Sequence, residues 1–277
     1  MTGGFLKCPV CGDSLTVSVP RKRAFCPRGH SFDRAAEGYF NLVTRPSQSS
    51  SGDPAETVAA RRAFFSHPAG YYEPLATTLC SIIDSLPVSG IAAAADACCG
   101  EGYFTRRIMA RVRKKSPEAA CYAFDLSKKA VKIASKADPE TQYFTANVSH
   151  IPLETGSVGL LTHIFAPVAA EEFYRVLSSD GYIIRVFPGK KHLWQIKCAL
   201  YENPYENDED PSMPSDFRLV DFKKVSTEAE LDNQSLRNLL LMTPYSFRTK
   251  KEALERLLLC PGMLVTLEFV VNVYKKG

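Results

Sequence analysis

An α/β fold, with a Rossmann-like sheet and a small N-terminal zinc-binding module, is what this sequence predicts. Three observations carry that expectation. From about residue 90 onward, short apolar runs alternate with single amphipathic helical segments. The first of those runs ends in a glycine-containing turn that opens a helix. The first 40 residues hold cysteines and a histidine at the spacing of one tetrahedral metal site.

The 277 residues suffice for one large domain and an appendage. A composition 45% hydrophobic and 23% charged is that of a globular protein. No apolar run reaches the ~18 residues of a membrane span. The opening MTGGFLKCPV has no basic stretch leading into an apolar core, so the expectation is a cytoplasmic protein without a membrane partner. Nine cysteines in a reducing compartment favour metal binding or buried thiols over disulfides. The first 50 residues carry seven Lys/Arg against three acids, an excess equal to the net +4 of the whole chain.

Residues 1–40 read as the module, 41–57 as a linker and 58–277 as the main domain with N-terminal helices. The stretch TRPSQSSSGDPAET resists regular structure. Residues 58–85 have helical apolar faces, built from Ala59, Ala60, Ala63 and Phe64 and then from Leu75, Leu79, Ile82 and Ile83. The run at 91–98 is the first strand of the main domain, and Phe104, Ile108 and Val112 share a face of the helix after it. A second strand is expected at 121–125, then a helix N-capped by Ser127. Further strands are expected at 142–147, 158–166 and 181–187. Strands joined by single helices pair in parallel. After an acidic, proline-broken loop at 203–215, residues 217–225 and 264–274 read as an antiparallel hairpin closing the sheet, with helical material between them.

Cys8, Cys11, Cys26 and His30 follow C-x2-C-x14-C-x3-H, with Gly12 and Gly29 in the two ligand turns. Four soft or borderline donors at two knuckles suit a single closed, structural Zn²⁺. Arg21, Lys22 and Arg23 lie between the ligand pairs, where they are either phosphate contacts or a solvated charged loop.

The turn after the first strand of the main domain reads Asp96-Ala97-Cys98-Cys99-Gly100-Glu101-Gly102. A glycine-rich turn at a helix N-terminus brings a ligand against the backbone. Asp96 and Glu101 would repel a pyrophosphate but suit the ammonium and sulfonium of S-adenosylmethionine. Asp125, ending the next strand, is placed to accept from ribose hydroxyls, and Asn147 to pair with the adenine edge. Phe165-Ala166-Pro167 is either a flat wall for a nucleobase or a core phenylalanine before a helix.

Both motif sets, in this order, resemble the RlmA family of large-subunit ribosomal RNA guanine-N1 methyltransferases across essentially the whole chain. The resemblance rests on CPVCGDSL, FCPRGHSFDRAAEGYFNLV, SGDPAETVAARRAFFSHPAGYYEPL and CGEGYFT, and extends to GKKHLWQIK and LLLMTPYSFR. It implies a class I methyltransferase sheet that transfers a methyl group from S-adenosylmethionine to guanine N1 in a ribosomal RNA hairpin, and a homodimer. It also implies cofactor contacts from Tyr72, from Gly100, Glu101, Gly102 and Tyr103, and from His192, and it carries the zinc ligands onto Cys8, Cys11, Cys26 and His30. Where similar methyltransferases have Gly, this chain has Cys98. A positive φ there would strain a cysteine, whereas an extended backbone would not.

Guanine N1 bears a proton, so the base must be unpaired or flipped and its proton lost. No general base stands out. His163 is a candidate, a buried structural histidine being the alternative. The same cofactor site would also serve a protein or small-molecule methyltransferase. A non-catalytic zinc-containing RNA-binding protein is the third reading, should Cys98 disable the site.

Overall fold

The structure, a computed structural model, describes residues 4–18, 20, 22–44, 52–208 and 213–277. A three-stranded antiparallel sheet comes first, made of β1 (Thr16–Val17), β2 (Arg23–Phe25) and β3 (Ser31–Asp33). Then follow β4 (Phe40–Asn41), α1 (Ala55–Phe65), α2 (Glu73–Ser85), β5 (Ala93–Ala97), α3 (Tyr103–Lys115), β6 (Ala120–Asp125), α4 (Lys128–Ala137) and β7 (Gln142–Thr145). The chain continues through β8 (Val158–Ile164), α5 (Ala170–Val176), β9 (Leu177–Pro188) and α6 (Trp194–Leu200). It ends with β10 (Phe217–Asp232), α7 (Asn233–Leu241), α8 (Tyr245–Arg248), α9 (Lys251–Leu257) and β11 (Gly262–Lys276). Among the described residues no helix is long and apolar enough to cross a membrane.

The large sheet has the order β10-β11-β9-β8-β5-β6-β7-β4. All pairs from β9 to β4 are parallel, while β11 is antiparallel to both β9 and β10. The expected parallel sheet with an antiparallel C-terminal hairpin is therefore present. Its β5, Ala-Ala-Ala-Asp-Ala, is buried at every position, as a central strand covered on both faces must be. Ala94 faces the core under α1, α2 and α3, whereas Ala93, Ala95 and Ala97 face the opposite core.

That opposite face is covered in an unusual way. Residues 146–157, between β7 and β8, contain no helix. The N-terminal module covers part of the sheet instead. Leu6 and Leu15 are buried in one cluster with Tyr122, Phe124, Phe144 and Leu153. Backbone bonds fix the contact: Lys7 N–H donates to the Pro152 carbonyl (3.0 Å) and Glu154 N–H to that of Phe5 (2.8 Å). The Phe5 N–H donates to the Tyr122 hydroxyl at 3.0 Å.

Boundaries differ from expectation where the chain punctuates itself. The helical zone 58–85 is two helices, because Pro68 lacks an N–H and Gly70 takes φ +60°. The strand expected at 181–187 starts at Leu177, and the C-terminal hairpin runs longer at both strands. Of the expected linker, residues 45–51 lie outside the described residues, as do Arg21 and Arg45, while Asn41 pairs with Thr145 at the sheet edge. Ser127 N-caps α4 as expected, accepting from the Ala130 N–H.

The close approach of α3 and α4 depends on Gly102, the residue before α3. Its φ is +82°, and an added Cβ would lie 3.0 Å from the Ala134 Cβ and 3.3 Å from its Cα. Gly102→Ala should cost about 2 kcal/mol, lowering the melting midpoint by roughly 4–8 °C. An unchanged midpoint would contradict this packing role.

Candidate functional site

The predicted metal ligands converge. One donor atom from each of Cys8, Cys11, Cys26 and His30 lies within 4.8 Å of the others. The Cys11 and Cys26 Sγ atoms are 3.7 Å apart, and Cys26 Sγ is 3.4 Å from His30 Nδ1. Two thiolates on one tetrahedral zinc sit about 3.8 Å apart, given Zn–S bonds of ~2.3 Å, so the donors fit that ion. Gly12 (φ +80°) and Gly29 (φ +85°) turn the two knuckles, each N–H bonding back to the carbonyl of the first cysteine of its turn.

A cavity of about 430 Å³ lies at the carboxyl ends of β5, β6 and β8. Asp53, Asp96, Glu101 and Asp125 line it, with Arg61 as the cation. Asp96 is buried and accepts from Thr105 Oγ1 and Thr162 Oγ1, both at 2.6 Å. Burial pushes its carboxyl up to about 6, against the two hydroxyls, which favour the anion. Asp125 accepts from the Gly100 N–H (2.9 Å) and the Ser127 N–H (2.8 Å), which clamps the glycine turn to β6. Burial raises its carboxyl as well.

Glu101 differs from expectation. It is buried and paired with Arg61 Nε at 2.7 Å, while Arg61 Nη1 bonds Asp53 at 2.6 Å. The α1 helix lays Arg61 over the turn, so this acid is already compensated. Gly100 (φ +54°) lines the cavity, and an added Cβ would meet the Arg61 guanidinium at 3.5 Å. Tyr103 lines it too, its hydroxyl on Glu73 at 3.1 Å. Gly102 does not; it faces α4. Asn147 lies two residues beyond β7 and lines the cavity, its Oδ1 accepting from the Ser149 N–H. Cys98 takes φ +59°, the strained alternative.

A second cavity, of about 580 Å³, adjoins the first and shares Arg61, Phe65 and Phe165-Ala166-Pro167 with it. Tyr72 and His192 line this second cavity, not the first. Tyr72 packs against Phe65, Phe165 and Phe269. His192 Nδ1 accepts from the Glu268 N–H at 3.2 Å, which puts the proton on Nε2. Burial holds it neutral, pushing it down to about 3. His163 Nε2 lies 3.0 Å from the Pro167 carbonyl, and burial pushes this imidazole to about 4. It is a buried, hydrogen-bonded histidine on the cavity wall. Phe165 is 38% exposed at φ +55°, so its ring stands in the shared wall instead of the core.

Sequence reasoning missed Arg61, Phe65 and Lys197. The first two sit on a helix whose docking over the turn no local spacing reveals. Lys197 reads as an ordinary helix-end cation, yet it is buried in the second cavity.

Comparison with known proteins places these features in context. Residues 6–50 match the family described as RlmA, N-terminal, and residues 95–185 match the Methyltransferase domain family. The chain is 30% identical over 257 residues to the 23S rRNA (guanine(748)-N(1))-methyltransferase of Streptomyces fradiae, covering 91% of this chain and 89% of that one. It is 35% identical over 207 residues to a Micromonospora griseorubida protein named "Putative 23S rRNA (guanine-N(1)-)-methyltransferase", covering 70% of this chain and 69% of that one. The crystal structure of a "putative methyltransferase" from Bacillus halodurans C-125 shares the fold, with a TM-score of 0.51 at 13% identity, over 72% of this chain and 99% of that one.

Two substitutions test the geometry. Cys8→Ser should release the zinc and lower the melting midpoint, since the metal holds the module's short strands together; a full equivalent of zinc in the purified variant would refute the ligand set. Cys98→Gly should relieve about 1 kcal/mol of left-handed strain, partly offset by unfolded-chain entropy. Its midpoint and its affinity for S-adenosylmethionine in calorimetry should equal or exceed the parent's, and a clear loss of either would show that Cys98 makes a favourable contact.

Proposed function

The chain belongs to the RlmA family of 23S rRNA guanine-N1 methyltransferases, and from that membership we infer that it methylates N1 of a guanine in large-subunit ribosomal RNA. The methyl donor is S-adenosylmethionine, and one structural zinc serves the N-terminal ribbon. The observation that carries the reading is the pair of cavities meeting at Phe165-Ala166-Pro167, one rich in carboxylates and the other without them among its described lining residues. A cationic donor and a planar acceptor need such neighbours.

The cofactor, when bound, supplies an electrophilic methyl on a sulfonium whose departure needs no protein acid. The chain's residues then align and stabilise. Asp125, with lone pairs left after its two backbone bonds, accepts from the ribose hydroxyls. The Asn147 amide meets the adenine edge. Asp96 would offer negative charge to the sulfonium end, and Arg61 and Glu101, paired across the turn, would meet the cofactor's carboxylate and ammonium. Gly100 lets the backbone approach, and Tyr103 closes the rim. Tyr72 and His192, which line the second cavity, would face the acceptor base beside the transferable methyl group. The base enters flipped out of its stack, and the Phe165 ring lies against it. Cys8, Cys11, Cys26 and His30 leave the zinc no open position, so the metal stiffens the ribbon and takes no part in transfer. A cytoplasmic location follows from the ribosomal substrate, and the homodimer rests on the family likeness.

Reverse transcription across the host's large-subunit ribosomal RNA tests this directly, because a methyl on N1 blocks base pairing and halts the polymerase. One stop should vanish on gene deletion and return when purified protein and S-adenosylmethionine treat the RNA. If no stop changes, the ribosomal assignment is wrong.

A further inference from the structure

The second cavity holds a charge arrangement that guanine chemistry can use. Its described lining includes Arg61, Arg185 and Lys197 as cations and His163 and His192 as neutral imidazoles, with no carboxylate. Lys197 is 1% exposed. Its Nζ donates to the Tyr205 carbonyl at 2.9 Å and to Asn207 Oδ1 at 2.7 Å, and it lies 4.4 Å from the Tyr205 ring centroid. An ammonium has three N–H groups, so one remains. Among the described residues Lys197 has no ion-pair partner; the carboxylate whose field reaches it is Asp208, exposed on the same loop. Asn207 is itself fixed by donating to the Gly189 and His192 carbonyls. The charged and titratable groups that line this cavity with Lys197 are Arg61 from α1, Tyr72 before α2, Arg185 from β9, His163 from β8, His192 before α6, Tyr201 and Tyr205 after it, and Tyr245 from α8.

A buried cation without a carboxylate partner costs free energy unless a ligand supplies the anion. The acceptor here must lose a proton from N1, and the charge left behind is shared with O6. The two histidines that line this cavity are held neutral by burial and are poor proton acceptors, and Asp96, raised to about 6, lines the other cavity.

We propose that the acceptor guanine reacts as its N1 anion, stabilised by the Lys197 ammonium against O6, with the proton passing to solvent and no protein base involved. The N1–H bond breaks to water. The N1 electron pair then forms the bond to the methyl carbon, and the carbon–sulfur pair leaves on sulfur. The anionic base and the cationic sulfonium both become neutral. Lys197 is thus a catalytic residue acting by charge, as donors do in an oxyanion hole. The proposal rests on the guanine-N1 reading above.

The test uses the full chain and an RNA hairpin carrying 8-azaguanine at the guanine found by primer extension. That analogue's N1 anion is fluorescent, so its ionisation is read without turnover, in the presence of S-adenosylhomocysteine. Binding to the wild-type protein should lower the ionisation midpoint by at least one pH unit relative to free RNA. Lys197→Arg should keep most of that shift. Lys197→Met, checked for folding by its melting curve, should abolish it and slow transfer to unmodified RNA roughly 10²-fold at neutral pH, with the deficit shrinking as pH rises. Should Lys197→Met not fold, the wild-type midpoint decides alone. A midpoint unmoved or raised in the wild-type complex, or lowered equally in folded Lys197→Met, overturns the proposal. Methyl transfer by the wild-type protein to unmodified RNA runs alongside. If guanine N1 is never methylated at any pH, the underlying reading fails; if it is methylated but the midpoint stays put, only the charge mechanism does.

Discussion

The buried carboxylate of Asp96 is the point on which the rest of the site depends. It sits at the end of the central strand and is held from two directions, by Thr105 from α3 and Thr162 from β8. Those two bonds tie β5, the helix that follows it and the neighbouring strand into one unit. A buried carboxyl without such partners would be costly, and with them it still rises to about 6. The adjacent Asp125 does a related task at β6, holding the Gly100 backbone by one oxygen and the start of α4 by the other. The geometry of the acidic cavity follows from these four bonds.

The N-terminal ribbon solves a packing problem for the same sheet. Strands of two or three residues cannot bury enough apolar surface to hold themselves together, and a metal supplies the missing cross-link. Once folded, the ribbon offers Leu6 and Leu15 to a sheet face left open between β7 and β8. The module therefore completes the core of the larger domain as well as carrying its own basic surface. Zinc loss should be felt in both parts.

Strain and charge are concentrated where the two cavities meet. Among the described residues the non-glycine residues with positive φ are Cys98, Phe165 and Leu193, and each lines one cavity or both. Backbone held in such conformations needs surrounding structure to hold it there, and here it serves to aim groups at the shared wall. The electrostatics change sign across that wall. Carboxylates gather on one side, and Arg185 and Lys197 on the other, with the Arg61 guanidinium reaching both. A cation and a developing anion can thus be held next to each other without the protein's own charges cancelling first.

Much of this was legible in the chain. The zinc ligands could be read because short-range spacing fixes them: a knuckle brings Cys8 to Cys11, and Cys26 to His30, whatever the rest of the protein does. Asp96, Gly100 and Asp125 could be read because strand ends and glycine turns are local events, and a parallel sheet lines such ends up. Tyr72 and His192 came from family likeness, and only the folded chain put them in the second cavity instead of beside the turn. The sequence motif also grouped Gly102 with the ligand-facing residues, whereas packing turned it toward Ala134. Tertiary structure alone decided that Arg61 would compensate Glu101, that Cys98 would be strained, and that Lys197 would be buried with no ion-pair partner among the described residues. Local spacing sets backbone conformation and face. Which charges meet, and how much water remains around them, depends on contacts between distant segments that no short window contains.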